Sequence, residues 1–186
     1  GEPPGGALDV LAAMDGSARW LDNVLVLHSL SKRPSAAGMR SGFAVGPVDV
    51  MTALNRVRLN GTACTPLPLL AAATALWSED SHVEAMRERL SGRKDIADRF
   101  LGRHPGYYRP PCGFFLWLRA GDGLELTRPL WRDFALKVLP GAYLTQAGPG
   151  GANEGDDYVR IALVHDLETT REGLSRLATA LDLPPA

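Results

Sequence analysis

Apolar residues recur along this chain at two spacings, and the change from one to the other marks its elements. Ala7 to Met14 has the short helical spacing, and Asp15-Gly16-Ser17 turns the chain. Val24-Leu25-Val26-Leu27-His28 is an unbroken, β-branched apolar run, which predicts a buried strand. Gly42 to Gly46 is a second brief strand bounded by glycines. Pro47 suits the first turn of a helix running to about Leu59, with Val50, Leu54 and Val57 on one face and Gly61 as the stop. Another helix is expected from Leu67 to Trp77. Ser81-His82-Val83-Glu84 has the spacing of a capping box, and Val83, Met86, Leu90, Ala97 and Leu101 keep a helical period up to Gly102. Ser91-Gly92 in the middle of that helix is a candidate kink.

Beyond the turn Tyr108-Arg109-Pro110-Pro111 the pattern becomes strand, helix, strand, strand, helix. The pieces are Gly113 to Leu118, Leu124 to Leu136, Lys137 to Leu139, Tyr158 to Val164, and a closing helix capped by Asp166 and faced by Leu174, Leu177 and Leu181. This predicts a small α+β domain hung from the long helix, with a boundary near Leu101 to Pro111. The glycine-rich stretch Gly148 to Gly155 neither follows a clear strand nor opens a helix, so a flexible surface loop is expected there rather than a nucleotide cradle.

Bulk properties narrow the function by exclusion. A chain of 186 residues, 45% hydrophobic and 22% charged, has an ordinary globular composition and can bury a sizeable core. Its net charge of −1 gives no electrostatic case for nucleic acid or an anionic membrane, which leaves a small-molecule partner as the expectation. Cys64 and Cys112 are far apart and the four histidines are scattered, so neither a metal site nor a disulfide framework is proposed and a reducing cytosol fits. No apolar run is long enough to span a bilayer.

One segment carries chemistry. Only three of the 20 basic residues are lysines, Lys32, Lys94 and Lys137, so lysine is not what this composition supplies by default. Lys32 closes Ser29-Leu30-Ser31-Lys32 at the carboxyl end of the first predicted strand, where ligands of α/β sheets collect. An amine can form an imine with a carbonyl cofactor, and a guanidinium cannot. Around it Ser29 and Ser31 supply hydroxyls, Gly38 and Gly42 permit close backbone approach, and Arg40 supplies a planar fork suited to phosphate. The cluster reads as an attachment site for pyridoxal phosphate.

These residues carry a resemblance. Ser29-x-Ser31-Lys32, followed by Arg40 within Gly38-Met39-Arg40-Ser41-Gly42, resembles the lysine motif of class I/II aminotransferases of pyridoxal phosphate fold type I. Three further stretches in the same order resemble that family: Pro111-Cys112-Gly113-Phe114-Phe115-Leu116-Trp117, Val138-Leu139-Pro140-Gly141, and Tyr158-Val159-Arg160-Ile161-Ala162. The resemblance implies an α/β fold, with residues 1–103 the end of the cofactor-binding large domain including a long interdomain helix, and 104–186 a small α+β C-terminal domain. It implies that Lys32 holds the cofactor and moves the substrate's α-proton, that Ser29, Ser31 and Arg40 hold its phosphate, and that Arg160 pairs with the substrate α-carboxylate. It further implies a homodimer acting on amino acids and 2-oxo acids, with Arg58 to Pro66 approaching the neighbouring subunit's cofactor.

Val26 to Arg33, Gly113 to Leu118 and Ile161 to Asp166 are together similar to bacterial succinyldiaminopimelate aminotransferases, which implies transamination with glutamate and 2-oxoglutarate in lysine biosynthesis. Alternatives on the same scaffold are an aspartate or aromatic aminotransferase, a carbon-sulfur lyase, and a non-catalytic aminotransferase-like domain. The family's glycine-rich cofactor turn, stacking aromatic ring and ring-contacting aspartate and tyrosine lie upstream of its lysine. Only 31 residues precede Lys32, so these features are not placed here and the 186 residues are expected to be an incomplete portion, inactive or poorly folded alone.

Overall fold

The computed structural model describes residues 6–14, 22–33, 36–61 and 65–185. The turn expected at Asp15-Gly16-Ser17 and the middle of the Arg58 to Pro66 loop, including Cys64, lie outside the described residues. The chain forms two compact units, residues 1–87 and 88–186, and the division falls within one long helix, α4 (Ser81–Leu101).

The first unit contains α1 (Ala7–Ala13), β1 (Val26–Ser29), β2 (Gly42–Val45), α2 (Val48–Gly61) and α3 (Leu67–Ser78). β1 and β2 pair antiparallel from Val26 opposite Val45 to Ser29 opposite Gly42. The apolar run gave the strand but not its burial: Leu27 is 71% exposed, and Leu30, just past the strand end, is the fully buried residue. Among the described residues the sheet here has two strands, so the outer edge of each is unpaired. α2 likewise buries no residue, and its expected inner face of Val50, Leu54 and Val57 is exposed. Periodicity establishes which side chains share a face, not what covers it.

α4 starts at Ser81, with the Asp80 carbonyl accepting from the amides of Val83 and Glu84. Ser81 is therefore inside the helix rather than its cap. Its own amide donates to the Glu79 carboxylate at 2.5 Å, so Glu79 rather than the serine supplies the side-chain cap. The helix runs unbroken through Ser91 and Gly92, where a side chain on Gly92 would meet Leu167 at 3.6 Å.

The second unit has the better-developed core. β3 (Phe115–Arg119), β4 (Leu139–Pro140) and β5 (Tyr158–Ala162) form an antiparallel sheet in the order β3-β5-β4, packed with α5 (Gly123–Phe134) and α6 (Leu167–Ala180). Leu116 and Leu118 of β3 and Val159 of β5 meet Leu130, Leu174 and Leu177 of the two helices and Ile96, Ala97 and Leu101 from the end of α4. Alternation along a strand sends those residues to one face and Phe115, Trp117, Arg119, Tyr158 and Arg160 to the other. Asp122 and Asp166 cap α5 and α6, accepting from the amides of Glu125 at 2.9 Å and Thr169 at 2.8 Å. The segment after α4 is tied back to it: the Tyr107 hydroxyl donates to Asp98 at 2.5 Å and Arg109 to Asp95 at 2.9 Å. Burial and the bond to Asp98 push the Tyr107 hydroxyl pKa up.

The glycine-rich stretch is a loop, as expected, but Asn153 fastens its end. Its side-chain oxygen accepts from the Thr145 hydroxyl and from the Gly155 amide at 3.1 Å, while its amide donates to the Ala142 carbonyl at 3.2 Å. Among the described residues no helix is long and apolar enough to cross a membrane, and no three His, Cys, Asp or Glu side chains group to hold a metal ion.

Candidate active site: the Lys32 turn and the Arg160 strand

β1 hands the chain into an excursion that returns at β2. Its mouth is closed by the Leu30 amide donating to the Ser41 carbonyl at 3.0 Å, and its interior by the Ala36 amide donating to Leu30 at 3.2 Å. The Ser29 hydroxyl accepts from the Ser31 amide at 3.1 Å and lies 3.5 Å from the Ser41 carbonyl, a local turn that strand-end serines favour. Lys32 stands exposed in this turn. A single 3-10 turn, Ala37–Met39, then leads to Arg40, whose backbone is left-handed with φ 47°. Its guanidinium donates back to the Ala37 carbonyl at 3.2 Å. The structure thus places Ser29, Ser31, Lys32 and Arg40 on one short excursion.

Gly42 has a different duty from the one its sequence position suggests. A Cβ there would sit 2.5 Å from the His28 carbonyl oxygen, so the closeness it permits is between β2 and β1. At Gly38 nothing lies within 4 Å of an added Cβ.

Charge around the turn is one-sided. Between Asp22 and Asp49 the sequence contains no carboxylate, whereas Lys32, Arg33 and Arg40 bring three cations. Asp80 reaches in from the start of α4 and pairs with Arg33. A segment with amine, guanidinium and hydroxyl donors and no acid is suited to an anion that also carries an aldehyde.

Arg160 lies in the second unit. Its strand, β5, is the central one, flanked by β3 and β4, so Arg160 is not a residue of a sheet edge. It faces Trp117 on one side and Leu139 on the other, on the face turned away from the core. Its guanidinium lies 5.6 Å from the centre of the Phe115 ring, and no carboxylate pairs with it among the described residues. Trp117 and Tyr158 stack on the same face, 5.3 Å apart and 16° from parallel. An arginine backed by an aromatic ring and lacking an acid partner can receive a carboxylate in bidentate fashion.

Residues 6–177 match the family described as aminotransferase class I and II. The chain belongs to this family. Pyridoxal phosphate is the cofactor of these aminotransferases, and the donor set of the Lys32 turn fits it. The chain is 32% identical over 157 residues to the 4-dedimethylamino-4-oxo-anhydrotetracycline transaminase of Streptomyces rimosus, covering 84% of this chain and 42% of that protein. It is 32% identical over 155 residues to the LL-diaminopimelate aminotransferase of Syntrophobacter fumaroxidans, covering 81% and 38%. Among solved structures it is similar to an aminotransferase from Neisseria meningitidis, with a TM-score of 0.84 and 32% identity over 95% of this chain and 44% of that one. The chain therefore spans about two fifths of the length of these relatives.

The residues expected around Lys32 lie close together in the sequence, and the side chains that reach the turn from elsewhere in the chain were not anticipated. Trp77 and Asp80, both far along the chain from Lys32, contact the turn through Ser41 and Arg33. The one signal available was the missing carboxylate between Asp22 and Asp49, which leaves the cations of the turn to be neutralised from elsewhere.

Proposed function

We propose that this chain is the portion of a pyridoxal phosphate-dependent aminotransferase that carries its cofactor lysine, Lys32, and its carboxylate-binding arginine, Arg160. The supporting observation is the one turn that gathers Ser29, Ser31, Lys32 and Arg40 within a stretch of sequence that contains no Asp or Glu. In this reading the Lys32 amine holds the cofactor's aldehyde and later moves the proton at the substrate α-carbon. Ser29, Ser31 and Arg40 hold the phosphate as hydroxyl and guanidinium donors. Arg160 pairs with the α-carboxylate and so fixes which bond at the α-carbon is aligned for cleavage. Bound there, the cofactor supplies an electron sink for the charge that develops at that carbon. Residues 1–103 form the end of the cofactor-binding domain and 104–186 the small C-terminal domain of a cytoplasmic homodimer.

The substrate assignment is N-succinyl-LL-2,6-diaminopimelate, with 2-oxoglutarate and glutamate as the exchange pair in lysine biosynthesis. It is supported by relatives named LL-diaminopimelate and N-acetyl-LL-diaminopimelate aminotransferases, 32% and 26% identical. Two measurements on the full-length protein test the proposal. Borohydride reduction in the presence of pyridoxal phosphate followed by peptide mapping is expected to label Lys32, and a label elsewhere overturns the site. Initial rates with succinylated, acetylated and free diaminopimelate then decide the substrate, and a preference for either of the last two overturns the succinyl assignment.

A further inference from the structure

Lys32 is followed directly by an arginine whose side chain is engaged by two residues. Arg33 pairs with Asp80, and its guanidinium lies 5.7 Å from the centre of the Trp77 ring. The side chain is only 22% exposed, and its Nη1 is buried without a hydrogen-bond partner, so the group is held rather than solvated. Trp77 is fixed in turn. Its indole N–H donates to the Ser41 hydroxyl at 3.2 Å, and its ring packs against His28 of β1 and Phe43 of β2 with centroids 5.6 and 5.2 Å apart. The Asp80 backbone is anchored, since its carbonyl accepts the first amides of α4, while its carboxylate is 63% exposed.

The excursion that carries Lys32 is therefore gripped at both limbs by α3 and the start of α4. Arg33 holds the outgoing limb one residue after Lys32, and Ser41 holds the returning limb one residue after Arg40. We infer that Arg33, clamped between Trp77 and Asp80, is a positioning residue that fixes the backbone from which the Lys32 amine reaches the cofactor. The inference rests on the reading of Lys32 as the cofactor lysine. It assigns Arg33 away from the phosphate cradle, because Asp80 already neutralises it, and leaves Arg40 as the anion-binding guanidinium of the turn. The group must be an arginine, because a lysine could keep the contact to Asp80 but has no flat face to lie over an indole.

The test uses the full-length holoenzyme and the variants Arg33→Lys, Arg33→Ala, Asp80→Asn and the Arg33→Ala/Asp80→Asn pair. Cofactor release on dilution is followed alongside kcat and KM. Loss of an ion pair and a cation–π contact together should speed release about tenfold in Arg33→Ala. Its kcat should fall while KM for the amino acid stays near the wild-type value, and Arg33→Lys should recover only part of both effects. The double variant should be no worse than Arg33→Ala, since both changes remove one shared contact. If Arg33→Ala does not fold, Asp80→Asn carries the test. A folded variant with a lower melting temperature but wild-type release rate and kcat would reduce Arg33 to a structural residue and overturn the inference. A wild-type protein not labelled on Lys32 would overturn the underlying reading instead, and the peptide map separates the two.

Discussion

Replacing Gly42 by alanine probes the geometry of the Lys32 turn at its narrowest point. Gly42 faces Ser29 in the last pair of β1 and β2, the pair that sets the mouth of the turn. A methyl group there would lie 2.5 Å from the His28 carbonyl oxygen and 3.5 Å from the Ser29 Cα, where contacts below 3.4 Å are already tight. The strands must part by about 0.9 Å to accept it. Overpacking of this kind costs about 1–3 kcal/mol, and both walls of the clash are backbone, so no side chain can swing away. The displacement passes directly to Ser29, whose hydroxyl organises the Ser31 amide ahead of Lys32. A misplacement of about 1 Å in a catalytic group can lower a rate by about a hundredfold. In the full-length enzyme Gly42→Ala should therefore lower both the melting temperature and kcat, the latter by one to two orders of magnitude. The assay is initial-rate kinetics beside thermal unfolding. Gly38→Ala is the control, since open space surrounds its added carbon, and the protein without cofactor should melt as the wild type does. A folded Gly42→Ala enzyme with kcat within about twofold of wild type would refute the argument that this strand pair positions the lysine.

Three further outcomes are expected. Arg160→Gln should raise KM for the amino donor about 10- to 100-fold, the worth of a charge-assisted bidentate pair, and equal losses with an amine lacking the carboxylate would remove that role. Leu118→Ala, at a fully buried site in the core of the second unit, should destabilise the protein by about 2–5 kcal/mol in urea unfolding. Lys94 is 7% exposed on α4, and burial lowers its pKa from 10.5, so its protonated form is penalised in the folded state. The penalty is full below the folded pKa and fades as pH rises towards the unfolded value, so the native protein should gain stability on the alkaline side. Lys94→Met should be more stable at neutral pH and lack that gain; a less stable methionine variant contradicts the account.

What was legible in the sequence was local. The α6 cap by Asp166 and its buried Leu174 and Leu177 follow from a cap and a period read over a few residues. The Lys32 set could be proposed because its members lie within one short segment. The start of α4 was misplaced by a residue because Glu79 competes with Ser81 for the capping duty, and a motif match alone does not rank them. Long-range partners were beyond reach: Arg33 and Asp80 are 47 residues apart, and nothing in either segment names the other. The central place of β5 also depends on a strand order, β3-β5-β4, that does not follow the chain.

If Arg40 holds the phosphate as proposed, its left-handed backbone sets stability and activity against each other at one codon. A non-glycine residue in that region gives up about 1 kcal/mol that glycine would recover. A library of variants selected for heat resistance alone should drift at position 40 towards glycine and asparagine, while one selected for growth in medium lacking the reaction product should keep arginine. The same position would then report, by which residue survives, whether a given lineage has been maintained for its chemistry or merely for its fold.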